Sequence, residues 1–226
     1  QQPNPSFSHP DASPNLLSLS IAQTFYFAQK VAALSRVQGY GLNEKELIFM
    51  FICLDPSHSG PAEPGACFHN LHEADINLAI ALQTANALRQ SGASVCLTRA
   101  ENIVDDGLTW RAEFANAAGC DAFLSIHCNA AEDETARGIE SYYYPGSAPG
   151  RLLAGSVQNE LNGLRYSLDR GVKDAFFTVL AATSMPAVLV ECGFITQYQD
   201  RQVLCAPSWQ QAIGQALARS LLNVSV

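Results

Sequence analysis

The sequence predicts an α/β fold, a single domain whose mainly parallel, twisted sheet is sandwiched between helices, with an extra N-terminal helix. Three observations predict it. Short apolar runs without alternation recur along the chain, as expected of strands covered on both faces of a parallel sheet. Longer stretches between them carry apolar residues at helical spacing. The two kinds of segment alternate, which is the pattern of crossover connections. The 226 residues, 48% hydrophobic and 15% charged, suffice for one sizeable core, since single domains reach roughly 200–250 residues.

Residues 1–15 hold Pro3, Pro5, Pro10 and Pro14 among serines and asparagines and read as a leader or linker. The opening Gln1-Gln2-Pro3, without methionine, is expected of a processed or trimmed chain. Residues 16–46 read as a helical extension, in which Leu16 to Val37 holds good helix formers and stops at Gly39-Tyr40-Gly41. The globular domain is expected over 47–226. Leu47 to Leu54 is an unbroken apolar strand. Glu73 to Gln90 is a helix with Leu78, Leu82, Ala85 and Leu88 as its core face, followed by Gly92. Val95 to Thr98 is a short strand, Leu108 to Ala118 a helix ending at Gly119, and Ala122 to Ile126 another apolar strand. Ile139 to Tyr144 and Ala187 to Val190 are further strands, and Leu152 to Leu164 and Trp209 to Leu222 are helices.

Composition excludes some functions. A formal net charge of -8 with 13 scattered Lys and Arg argues against nucleic acid, whose phosphates call for clustered cations. Leu16 to Leu34 contains Ser18, Ser20, Gln23, Thr24, Gln29 and Lys30 and is too polar for a transmembrane segment of about 20 residues. Seven cysteines are present without a Cys-x-x-Cys pair. Neither a full disulfide framework nor a zinc knuckle is signalled. Cys53, Cys96, Cys120, Cys128 and Cys192 lie in or beside apolar runs and read as small buried hydrophobes.

Ligands of open parallel sheets gather beyond the carboxyl ends of the strands, and three strands here run into reactive side chains. The first leads into Asp55-Pro56-Ser57-His58-Ser59-Gly60, another ends at His127, and another at Glu191. Glu73 opens a helix and can reach back over the same edge. Two imidazoles and a carboxylate, His58, His127 and Glu73, are a ligand set for catalytic zinc with an open position for water. A carboxylate outside that set, Glu191, can act as general base and then acid. Together they make an amide hydrolase. His69 and His72 read as solvated loop residues or substrate contacts. Each residue also has a bland reading: a strand-end His as hydrogen-bonded structure, Glu73 as a partner of the helix dipole. Glu191 is different, because an unpaired carboxylate after an apolar strand is costly.

Several motifs then occur in order: Asp55 to Gly60, His72-Glu73-Ala74-Asp75, and Ser125-Ile126-His127-Cys128-Asn129-Ala130. Gly138-Ile139-Glu140-Ser141-Tyr142-Tyr143, Arg170-Gly171-Val172-Lys173 and Val188 to Phe194 follow, with Thr98-Arg99 and Arg111 to Asn116 in support. From Ile48 to Leu222 the chain resembles the catalytic domain of the zinc-dependent N-acetylmuramoyl-L-alanine amidases of the AmiC type, amidase family 3. The resemblance implies one zinc per chain on His58, Glu73 and His127, with Glu191 as catalytic carboxylate. It implies hydrolysis of the amide between N-acetylmuramic acid and L-alanine in peptidoglycan.

The same resemblance implies peptidoglycan or muropeptides as partner, with an activator protein as a further candidate. It implies the bacterial cell envelope, periplasmic or secreted, although seven cysteines are unusual there and a phage lytic enzyme is the other source to weigh. Asn129, Glu140, Arg170 and Lys173 are candidate substrate contacts, Glu140 reading equally as a polar strand residue facing the outer layer. Ser57 and Ser59 replace family glycines, so the His58 loop must accept side chains there. Only Tyr144 to Gly150 separates one strand from the next helix, leaving no room at that place for the helix that blocks zinc in some members. Two rivals stand beside the amidase: a zinc peptidase of the stem peptide, and a non-catalytic peptidoglycan-binding pseudoenzyme.

Overall fold

The computed structural model describes residues 50–103 and 107–224. The leader, the helical extension and the start of the first strand at Leu47 lie outside the described residues. The elements in order are β1 (Phe51–Pro56), β2 (Cys67–Phe68), β3 (Leu71–His72), α1 (Glu73–Gln90), β4 (Ser94–Leu97), α2 (Leu108–Ala118) and β5 (Ala122–Asn129). Then come β6 (Ile139–Tyr143), α3 (Ala148–Gly163), β7 (Asp169–Asp174), α4 (Thr178–Ala181), β8 (Ala187–Phe194), α5 (Tyr198–Leu204) and α6 (Pro207–Leu222).

Six strands form one sheet in the order β4-β1-β5-β8-β6-β7. β4, β1, β5 and β8 are mutually parallel, β6 joins β8 antiparallel, and β7 is parallel to β6. The reversal puts β6 and β7 opposite to the other four. Strand pleating sends Ile52 and Leu54 into one core and Phe51 and Cys53 into another. The first core is closed by α1, α3 and α6 through Ile80, Val157 and Leu217. The second, smaller core is closed by α2 and α4 through Phe114 and Leu180. The expected α/β sandwich is the observed fold.

Differences from the sequence reading have physical causes. The core face of α1 runs through Ile76, Ile80 and Leu88, whereas Leu82 is 41% exposed, because apolar residues cover a wider arc of this helix than one stripe. β7, with the sequence Asp-Arg-Gly-Val-Lys-Asp, carries no apolar run because it is an edge strand with largely exposed side chains. α3 begins at Ala148 rather than Leu152, since Ser147 caps it by accepting from the Gly150 amide at 3.1 Å, with Pro149 in its first turn. β5 and β8 continue past Ile126 and Val190 because their ladder goes on through His127↔Glu191 to Asn129↔Phe194, with a register shift between. β6 passes directly through residues 144–147 into α3.

Candidate metal centre and active site

Pleating places the chemistry. Asp55 of β1, Ser125 and His127 of β5 and Glu191 of β8 have the strand parity of Cys53, Phe123 and Leu189, which face the smaller core. His127 and Glu191 are register partners, and Glu191 is in turn partnered by Glu140 of β6. One row across the sheet therefore reads His127, Glu191, Glu140. The helical cover on this face is short, and a cleft of about 400 Å³ opens over the row, lined by His58, Glu73, His127 and Glu191 with Phe176 and Leu108 at its rim. A second cleft of about 590 Å³ adjoins it at His58 and His127.

The loop after β1 is built on buried cations. Arg111, fully buried on α2, donates to Asp55 Oδ1 at 2.6 Å and to the carbonyls of Pro56 at 3.2 Å and His58 at 3.0 Å. Arg99 donates to Pro56 O at 2.8 Å, Ser57 O at 3.2 Å and Ala74 O at 2.7 Å. These bonds hold His58 at φ 63, a left-handed conformation that a side chain ordinarily avoids. The positive dihedrals in the loop fall at His58, Gly60 and Gly65, not at Ser57 or Ser59. Serines in place of glycines are thus accommodated, and both are buried.

Glu73 lies between the two imidazoles. Its Oε2 is 3.1 Å from His58 Nε2 and its Oε1 3.0 Å from His127 Nδ1. The backbone amides of Ala66 and Cys128 donate to it at 2.8 and 3.1 Å, and Asn77 Nδ2 at 3.2 Å. Burial alone would raise this carboxyl, but hydrogen bonds from His127 and His58 outweigh it and hold it well below the usual range. Burial depresses His58, yet Glu73 and Glu63 overcome that and push it up to about 9. Glu63 meets His58 Nδ1 at 2.5 Å, leaving Nε2 turned to Glu73. Such a carboxylate behind an imidazole is the arrangement that orients metal ligands.

The His58, Glu73 and His127 donor atoms lie within 4.8 Å of one another. Two imidazoles and a carboxylate suit zinc. Gly65 supports the fit: at φ +69 its backbone passes so close that a Cβ would stand 2.4 Å from His58 Cδ2 and 2.6 Å from Glu73 Oε2. His69 and His72 stay outside this group, His69 against the Phe68 ring and His72 beside Asp75 at 3.6 Å.

Glu191 Oε2 is buried, with no hydrogen-bond partner among the described residues. Burial pushes its carboxyl up to about 7, the His127 charge opposing and the Glu73 and Glu140 charges assisting. Asn129, Glu140, Arg170 and Lys173 form one network. Glu140 is 2% exposed and accepts from Asn129 Nδ2 at 2.7 Å, from Arg170 Nε at 3.0 Å and from Lys173 Nζ. The reading of Glu140 as facing the outer layer is corrected by its buried place on the site face beside Glu191. Burial would raise Glu140, but bonds from Lys173 and Arg170 win and lower it. Sequence reasoning did not single out Glu63, Gly65 or Asn77. The glycine and the acid lie in the same loop as His58, but nothing in their spacing shows that the loop folds back on it.

Comparison with known proteins places this geometry. A family model described as N-acetylmuramoyl-L-alanine amidase matches residues 52–223. The N-acetylmuramoyl-L-alanine amidase LytC of Bacillus subtilis is 37% identical over 168 residues, covering 74% of this chain and 34% of that protein. The chain thus spans about a third of LytC. The solved structure of N-acetylmuramoyl-L-alanine amidase AmiC2 of Nostoc punctiforme superposes with a TM-score of 0.72 at 33% identity, covering 76% of this chain and 95% of that one. The CwlD amidase from Clostridioides difficile, solved in complex with the GerS lipoprotein, gives a TM-score of 0.66 at 26% identity, covering 76% and 96%.

Proposed function

The chain belongs to the N-acetylmuramoyl-L-alanine amidase family, and from that premise we propose that it hydrolyses the amide joining the lactyl group of N-acetylmuramic acid to the L-alanine of the stem peptide. His58, Glu73 and His127 would hold one zinc ion. That ion, when bound, supplies a Lewis acid that polarises the scissile carbonyl and makes the attacking water acidic. Glu191 takes the proton from that water and delivers it to the nitrogen of the departing L-alanine. A carboxyl whose pKa is raised by burial can serve as base and acid in turn near neutrality.

The observation that carries this reading is the unpartnered Glu191 Oε2 lining the same cleft as the His-Glu-His cluster. A group without a partner in a buried position is costly unless it is put to use. Asn129, Arg170 and Lys173 would contact substrate, with Glu140 as the buried positioning residue that anchors all three. Arg170 and Lys173 side chains are 38% and 41% exposed, so part of each cation remains available for stem-peptide carboxylates. The bacterial envelope, periplasmic or external, is where this substrate lies. No helix among the described residues is long and apolar enough to cross a membrane. A protein activator is a candidate partner, since CwlD was solved with one lipoprotein.

Mass spectrometry of the products from purified peptidoglycan tests the proposal. An amidase frees intact stems with an L-alanine amino terminus and leaves unpeptidylated glycan. Cuts within the stem would assign a peptidase, and binding without release by the zinc-loaded chain would assign a pseudoenzyme.

A further inference from the structure

Among the described residues, two groups of three or more His, Cys, Asp or Glu side chains bring possible ligand atoms within 4.8 Å of one another. One is the triad above. The other is Cys53, Cys96 and Cys120, on the same face of the sheet but beneath the site. Cys53 and Cys96 are register partners on β1 and β4, and Cys120 follows the left-handed Gly119 that ends α2. They are 0%, 8% and 7% exposed. The Cys96 and Cys120 sulfurs are 3.4 Å apart.

That spacing is informative. Thiolates bound to one metal at about 2.3 Å stand roughly 3.8–4.0 Å from each other, whereas a disulfide requires about 2.05 Å. The Cys96 and Cys120 sulfurs therefore need to move apart by only tenths of an ångström to share an ion, and the Cys53 sulfur lies within 4.8 Å of both. We propose that Cys53, Cys96 and Cys120 form a second, buried, three-sulfur metal site for a thiophilic d10 cation of the Cu(I) or Zn(II) class. Three soft sulfurs select such ions over the harder ones. On binding, each coordinating thiol loses its proton to solvent, and the oxidation state of the metal is unchanged.

Arg89 supplies a nearby positive charge. Its Nη2 donates to the carbonyl of Val95, next to Cys96, at 3.3 Å. Hydrogen bonds from Cys120 and Cys53 favour the anionic form of the Cys96 sulfur, whereas the Cys53 and Cys120 thiols are raised, Cys53 chiefly by burial, so that two of the three protons must be displaced by the ion itself. A bound ion would staple edge strand β4 and the end of α2 to β1, one side chain along the same strand face from the Asp55–Arg111 pair. The cysteines come from two strands and a helix-to-strand connection, which is why their spacing carries no zinc-knuckle signature.

The test titrates the reduced, full chain anaerobically with Cu(I) alone, and separately with Co(II) alone as the zinc surrogate. Sulfur-to-metal charge-transfer absorption reports only sulfur ligands, so the His-Glu-His cluster is silent. We expect one band whose final amplitude corresponds to one sulfur-bound ion per chain, lost in Cys96→Ser and kept in Cys67→Ser. Should the Cys96 variant fail to fold, Cys120→Ser decides by the same loss of the band. Absence of a band with both ions, or a band unchanged in a folded Cys96→Ser or Cys120→Ser chain, would overturn the site. A Cys96–Cys120 disulfide in the freshly isolated chain, with no metal uptake after reduction, would overturn it too.

Discussion

His58 illustrates how much of the site rests on residues that never touch substrate. Its left-handed backbone is held by Arg111 and Arg99, its Nδ1 is engaged by Glu63, and Gly65 clears the space beside its Nε2. Removal of the carboxylate behind a metal-bound imidazole costs about 10–100-fold in metal affinity. Glu63→Gln is therefore expected to bind zinc that much more weakly while unfolding at the same urea concentration as the parent. Competition with a chromophoric chelator measures the affinity, and parental affinity would remove Glu63 from the site. His58, Glu73, His127 and Glu191 stand out in the sequence because each is a reactive side chain beside an apolar run. Glu63 does not, because its partnership depends on the fold of one loop and no periodicity encodes it.

Strands β1 and β5 and helix α2 meet at Asp55, whose carboxylate receives Arg111 at 2.6 Å, Thr98 at 2.6 Å and Ser125 at 2.7 Å. Burial would raise Asp55, but Arg111 and the two hydroxyls outweigh it and hold its pKa below the ordinary value. The unfolded chain then binds the proton more readily. The stability contributed by Asp55 is present above its unfolded pKa of about 4 and is lost as the pH falls through the lower, folded value. Urea midpoints measured from pH 7 down to pH 3 should thus fall steeply at the acid end. Asp55→Asn should flatten that fall and cost about 3–5 kcal/mol at pH 7, the usual price of leaving one buried partner alone. An unaltered acid slope in the variant would contradict this role. The parallel strands were legible because burial on both faces demands unbroken apolar runs such as Ala187 to Val190. β7 was not, since Asp169 to Asp174 at the sheet edge needs no such run. Nor was the antiparallel joining of β6, because direction leaves no trace in side-chain alternation.

The triad stands at one rim of the sheet, while the interior is filled by side chains such as Ile52, Leu124 and Val190, none of them a metal ligand. Chelation of zinc is accordingly expected to abolish release of stem peptides while leaving the far-ultraviolet circular dichroism of the chain unchanged, and added zinc should restore release. Unfolding on chelation would instead make the ion structural. The α/β fold class was readable in the alternation of apolar runs and helical stretches, but the joining of Asn129, Glu140, Arg170 and Lys173 into one network was not, because it depends on which strands become neighbours. The most direct test compares the zinc-loaded chain with its Glu191→Gln variant, measuring zinc per chain and the rate of free stem-peptide release from peptidoglycan in the same preparations. Equal zinc in both, with release slowed about 100-fold or more in the variant, is the expected result for a lost general base. Equal rates would contradict the role of Glu191, and loss of zinc from the variant would make Glu191 part of the metal site.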